Sequence, residues 1–251
     1  MAAVVLRAKA PPPFAVDLAA LAPAALAGLP AAAIERIALG RLAVGDLFAV
    51  TPGDAAELVI AGGSPLFSGI GAFLQAGSLL VEGDAGPFAA AEMRGGRIES
   101  RGDAGYFLAA ARADGRQGMA GGVVVVRGHA GAHAGAFLRR GVVVVEGAAG
   151  AGAGMGMIAG TLAICGAAGP RTGALMRRGT LLLGTPPPAP PAGFIPGRLA
   201  ADGVFPALLA QALRPLSAAV AECAAAVRQR WLGDLAGLGK GEILLAGAMP
   251  G

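Results

Sequence analysis

Six copies of one short motif run through the middle of the chain, opening at Gly77, Gly96, Gly122, Gly141, Gly160 and Gly179 with spacings of 19, 26, 19, 19 and 19. The odd interval is one period plus seven residues. Gly122-Val-Val-Val-Val-Arg-Gly128-His-Ala130-Gly131 returns as Gly141-Val-Val-Val-Val-Glu-Gly147-Ala-Ala149-Gly150, and with more drift from Gly77 and Gly160. A unit of about 20 residues cannot bury its own apolar face and has to stack on its neighbours. Each unit holds one apolar run, β-branched in most copies, and leaves no room for a helix of about 10–12 residues beside it. The pattern predicts an all-β fold, a right-handed parallel β-helix built as a solenoid of 19-residue coils. An N-terminal cap is expected over residues 1–56, the repeats over 57–184, and a Pro-rich linker, helix and terminal strand over 185–251.

Aligning the repeats separates inside from outside. Ala85, Ala104, Ala130, Ala149 and Ala168 share one position, which must be small at every level. Met93, Met119, Leu138, Met157 and Met176 share another and read as an interior row of flexible gap-fillers. Leu79 and Val81, with Val124/Val126, Val143/Val145 and Leu181/Leu183, should point inward. The opposite positions are apolar as well: Val123, Val125, Val142, Val144 and Leu182 form an outward patch, where a solvated face would be polar. Such a patch has to be covered. Either the chain's own C-terminal helix, expected from about Pro206 to Trp231 with a bend at Pro215, or another subunit would do so, and these five residues are the candidate interface.

Charges cluster at repeat ends. Glu82 with Arg101 and Arg127 with Glu146 read as cross-strand ion pairs. Arg94, Arg139, Arg140, Arg177 and Arg178 recur at one corner and form a basic edge suited to an acidic ligand or protein surface. A net charge of +4 would suit nucleic acid, but lysine occurs only at Lys9 and Lys240 and aromatic residues do not alternate with the arginines, so no nucleic-acid partner is expected. No apolar run approaches the roughly 18 residues of a membrane span, and no signal peptide is visible. A cytoplasmic protein with no membrane partner is expected. Cys165 and Cys223 lie far apart without a CxxC, which predicts neither a zinc site nor a disulfide framework.

The search for chemistry is otherwise negative. No P-loop or dinucleotide fingerprint fits, and His129 and His133 lack a third ligand, so no metal site is expected. No catalytic residue is assigned. The seven-residue insertion at about 111–117, carrying Arg112, Asp114 and Arg116, is the best candidate for a special contact.

The repeated corner seen in Gly128-His-Ala-Gly131 through Gly141 resembles the Gly-x-Gly-x-x-x-Gly β-helix family. That family includes the C-terminal domain of the glutamate synthase large subunit and the glycine-repeat subunit of formylmethanofuran dehydrogenase. The stretch Leu39-Gly-Arg-Leu-Ala-Val-Gly45-Asp46-Leu47-Phe48-Ala-Val50 and the helical tail after Gly193 look most like the second. The Ala, Gly and Arg bias favours its bacterial version, the glycine-repeat subunit of a formyltransferase/hydrolase complex of one-carbon metabolism. The resemblance implies a structural, coupling subunit that binds no cofactor alone. Its partners would be an amidohydrolase-like hydrolase subunit, a formyltransferase subunit and a further dehydrogenase-like subunit. At the complex level a formyl group would pass from formyl-tetrahydromethanopterin to a methanofuran-like carrier and leave as formate. The carrier's polyglutamate arm would run along the arginine edge. The alternatives are a molybdenum or tungsten formylmethanofuran dehydrogenase and a glutamate-synthase-type structural domain.

Overall fold

The structure, a computed structural model, describes residues 1–187, 191–199 and 203–247. The chain starts with β1 (Val4–Ala8), β2 (Val16–Asp17), α1 (Pro23–Leu26), α2 (Ala31–Glu35), β3 (Ala38–Leu39), β4 (Leu42–Ala43), α3 (Val44–Leu47) and β5 (Phe48–Thr51). The repeats follow as β6 (Glu57–Ala61), β7 (Phe67–Ser68), β8 (Ser78–Glu82), β9 (Arg97–Ser100), β10 (Ala120–Val126), β11 (Arg140–Val145), β12 (Thr161–Ile164) and β13 (Arg178–Leu183). Beyond them come β14 (Ile195–Gly197), α4 (Val204–Leu213), α5 (Ala218–Ala225), β15 (Val227–Gly233) and β16 (Lys240–Ala246).

Twelve of these strands form one sheet in the order β14-β15-β16-β13-β12-β11-β10-β9-β8-β6-β1-β5. The run from β16 to β1 is parallel, while β5 and the β14–β15 pair are antiparallel. The period sets the register directly, so Ile98, Val124, Val143, Leu162 and Leu181 stand side by side. Between strands, isolated parallel bridges link Ser64, Ala85, Ala104, Ala130, Ala149 and Ala168 in turn. The methionine and leucine row is wholly buried between the sheet and these turns. It also explains the glycine that opens each repeat. At Gly141, with φ +99°, a Cβ would stand 2.6 Å from Met119 Cε and 2.7 Å from the Gly122 carbonyl oxygen.

The expected all-β right-handed parallel β-helix is corrected by this arrangement. Among the described residues the strands make an open, mostly parallel twelve-stranded sheet accompanied by five helices, an α/β sheet fold. An identical repeat fixes parallel neighbours and their register, but neither closure nor what the flanking segments contribute.

The helix expected from about Pro206 to Trp231, with a bend at Pro215, is two helices that part around Pro215, and the second ends short of Trp231. The chain turns after Leu213, restarts at Ser217, whose Oγ accepts the Val220 N–H at 3.2 Å, and ends α5 at Ala225. Trp231 lies on β15, opposite Ile243. The expected terminal strand is β16, which sits between β13 and β15. The stretch from Ile34 to Val50 contains the short β3–β4 pair flanked by α2 and α3. Within residues 18–29 of the N-terminal cap, only Pro23–Leu26 is helical. In the linker, 188–190 lie outside the described residues.

The outward valine face has its cover within the chain. Val125, Val144, Ala163, Leu182 and Leu244 are fully buried in a second core with Leu213, Val220, Ala221 and Ala224 of α4 and α5. Val125, Val144 and Leu182 are therefore not interface residues. Val123 and Val142 are half-buried at the margin of the same packing.

Candidate functional site

The turns opposite the sheet carry an unusual backbone. Among the described residues, ten non-glycine residues have φ between 54° and 62°, and all of them fall on three positions of the repeat. One position holds Phe88, Phe107, His133 and Arg171, the next Ala90 and Ala109, the third Phe73, Glu92, Phe137 and Leu175. The left-handed region costs an L residue about 1–2 kcal/mol, and bulky side chains are found there only when their surroundings over-determine them. Here the determinant is the ladder of hydrogen bonds between equivalent turns, Phe107 N–H to Ala132 O and His133 N–H to Ala151 O, both at 2.8 Å.

At the first and third of these positions the side chains point outward in register, while Ala90 and Ala109 are buried in the core. The Phe88 and Phe107 rings stack with centroids 5.1 Å apart and 7° between planes, and Phe107 and His133 follow at 5.0 Å and 10°. Those separations are close to the ~4.8 Å strand spacing, so the stack is the sheet's own repeat read through its turns. Tyr106 meets both phenylalanines edge-on. Phe73, Tyr106 and Phe137 remain 46%, 50% and 43% exposed. Where the row reaches Gly152, a Cβ would stand 2.7 Å from His133 Nδ1, so the glycine makes room for the ring beside it.

The insertion folds back onto this strip. Arg112 donates its backbone N–H to Glu92 Oε1 at 3.1 Å and Nη2 to Asp17 Oδ2 at 2.9 Å. Its guanidinium lies 5.5 Å from the Phe88 centroid and 6.0 Å from that of Phe73, within cation–π range. At the other end of the insertion, Gln117 Oε1 accepts from Arg139 Nη1 at 2.6 Å. The insertion thus touches both the aromatic strip and the arginine edge. Phe137, Leu138 and Arg139 are consecutive, so only the buried methionine and leucine row separates the two surfaces.

Arg94, Arg139, Arg140, Arg177 and Arg178 are all exposed, and none makes an ion pair among the described residues. Arg94, Arg139 and Arg177 fall on alternate repeats, roughly 10 Å apart by strand spacing. Lys240 pairs in register with Arg178 and extends this edge by one strand. Sequence reasoning missed it because β16 comes from outside the repeats.

The other candidate groups are held in structural roles. Asp84 Oδ1, Asp103 Oδ1 and His129 Nδ1 each accept a backbone N–H from the following repeat, at 2.7–2.9 Å. Both expected ion pairs form, Arg101–Glu82 at 3.2 Å and Arg127–Glu146 at 2.6 Å. Sequence reasoning missed Glu99, which joins Arg127 at 2.9 Å and Arg97 at 3.0 Å. Ser217 Oγ donates to Glu146 Oε1 at 2.6 Å, so this network also pins the start of α5 to the sheet. Among the described residues no three His, Cys, Asp or Glu side chains could hold a metal ion, and no helix is long and apolar enough to cross a membrane.

Glu99 gives a pH prediction. Burial pushes its carboxyl up, but the hydrogen bonds and charges of Arg127 and Arg97 outweigh it, and the pKa falls below the ordinary value of 4.5. A depressed carboxylate contributes stability that is present above its unfolded pKa and lost as pH falls through the folded one. Glu99→Gln should therefore lower stability at pH 7 by about 0.5–1 kcal/mol, a partly screened value. The gap to wild type should begin to narrow as pH falls below the unfolded value of about 4.3, and close only below the depressed folded one. Urea melts across that range check it; a gap independent of pH would assign Glu99 a packing role instead.

Comparison with solved structures finds a chain of the formyltransferase/hydrolase complex (FhcABCD) from Methylorubrum extorquens, solved by X-ray crystallography in complex with methylofuran. The two share 35% identity with a TM-score of 0.84, over 97% of this chain and 100% of that chain. No family model matches, and no curated protein does. Identity at this level over the whole length of both chains carries the relationship beyond shared architecture. The chain belongs to the family represented by that chain of the formyltransferase/hydrolase complex.

Proposed function

We propose that this chain is the glycine-repeat subunit of a formyltransferase/hydrolase complex and serves as its non-catalytic structural and coupling element. The full-length match to a chain of such a complex, crystallised with methylofuran, carries the proposal. Support comes from the acids and histidines in the turns, which are committed to backbone caps, ion pairs and ring stacking. The partners are an amidohydrolase-like hydrolase subunit, a formyltransferase subunit and a dehydrogenase-like subunit. The complex moves a formyl group from formyl-tetrahydromethanopterin to a methanofuran-type carrier and releases formate. A molybdenum or tungsten dehydrogenase and a glutamate-synthase-type domain find no support in the matched structure.

Two surfaces divide the work. The aromatic strip, rich in the residue types that anchor protein interfaces, meets another subunit. The arginine edge guides the carrier's acidic polyglutamate arm. Co-expression with the three partner subunits tests assembly: all four should co-elute, and omitting this chain should leave the others unassembled. A complex that forms and turns over without it would overturn the proposal. Within an intact complex, reversing Arg139, Arg140, Arg177 and Arg178 to glutamate should raise the apparent KM for a long-armed carrier roughly tenfold at low salt, with kcat unchanged. An unchanged KM would remove the edge from the carrier's path.

A further inference from the structure

Cys165 and Cys223 are 58 residues apart in sequence, yet their sulfurs stand 2.8 Å apart in the structure. Cys165 directly follows β12, at the strand-end level where Arg127 and Glu146 close the two preceding strands. Cys223 faces it from α5. Both are free thiols and both are partly accessible. The gap is less than an ångström longer than the ~2.05 Å of an S–S bond.

The position matters because α5 is lightly held. Its buried face is Val220, Ala221 and Ala224, two of them alanines, and among the described residues its polar contacts to the sheet are Ser217–Glu146 at its first turn and the Cys223–Cys165 thiol contact. A covalent link at Cys223 would fasten the helix near its other end. Burial, contact with the Cys223 thiol and the charges of Glu146 and Glu222 push the Cys165 thiol well above its ordinary range.

We propose that Cys165 and Cys223 form a dithiol–disulfide site that a small-molecule disulfide of the glutathione class oxidises, locking the α4–α5 hairpin onto the sheet. One protein thiol, losing its proton, attacks the small disulfide, forms a mixed disulfide and expels one small thiolate. The second protein thiol, losing its proton, then attacks the first cysteine's own sulfur in that mixed disulfide, closing the protein S–S bond and expelling the second small thiolate. The two protons released by the protein end on the two small thiols. Two protein thiols are oxidised and one small disulfide is reduced. The inference stands on this chain alone and is independent of the family assignment.

The test is equilibration of the full-length reduced chain with oxidised glutathione. The expected result is loss of both titratable thiols, an intact mass lower by two hydrogens, and a peptide linking residues 165 and 223. Tm should rise by about 10 °C, because a loop of this length is closed in the unfolded chain. Hydrogen exchange over 204–225 should slow at least tenfold. Cys165→Ser and Cys223→Ser, made separately, should each abolish the mass change and the Tm shift, so that one poorly folding variant does not decide the outcome. Stable glutathione adducts, persisting free thiols, or a disulfide that leaves exchange in the hairpin unchanged would each overturn the proposal.

Discussion

Val144→Asp should destabilise the isolated chain by about 4 kcal/mol, because it leaves an unpaired carboxylate between the sheet and α4–α5. Val144 is fully buried, in register between Val125 and Ala163, and its neighbours across the gap are aliphatic side chains of the two helices. At this chain length the loss corresponds to a Tm about 10 °C lower. Thermal melts of the purified chain check it. They also separate two accounts of the same valine face, since a face reserved for another subunit would leave the isolated chain's Tm unchanged and weaken only assembly.

Tyr106→Ala combined with Phe137→Asn should have the opposite signature. Both side chains are about half exposed, so the free chain should hold its Tm to within a few degrees. Asparagine is chosen for Phe137 because it tolerates the φ of +56° found there. If the strip is where a partner docks, removing two aromatic anchors should weaken association by about 4 kcal/mol, or roughly a thousandfold. Size-exclusion chromatography of the co-expressed subunits reads this out. Co-elution at unchanged strength would place the docking surface elsewhere.

The repeats made the parallel register, the alanine ladder and the buried methionine row legible, because one residue type at one position in every repeat has one physical explanation. What they did not reveal came from segments that occur once. Neither β15, which returns antiparallel beside β16, nor the Ser217 cap that splits the tail into two helices has a periodic signal. The open, helix-covered sheet follows from those segments and not from the period. The aromatic strip was hidden differently. Phe88, Phe107 and His133 are alike only when aligned at 19 and 26 residues, and no propensity scale places bulky residues at positive φ. The arginine edge was visible as a spacing, and the insertion as an interruption, but their junction at Gln117 and Arg139 exists only in three dimensions.

The two ends of the sheet have a consequence of another kind. Antiparallel β5 closes one edge, and β14, three residues long and containing Pro196, closes the other. Neither invites a further parallel strand. Growth can therefore occur only from within, one whole repeat at a time, and each repeat gained or lost changes the distance between the ends by about 4.8 Å. The chain is in this sense a ruler with finished ends. Whatever is fastened near β5 and near β14 is held at a separation written in the number of glycine-led repeats between them.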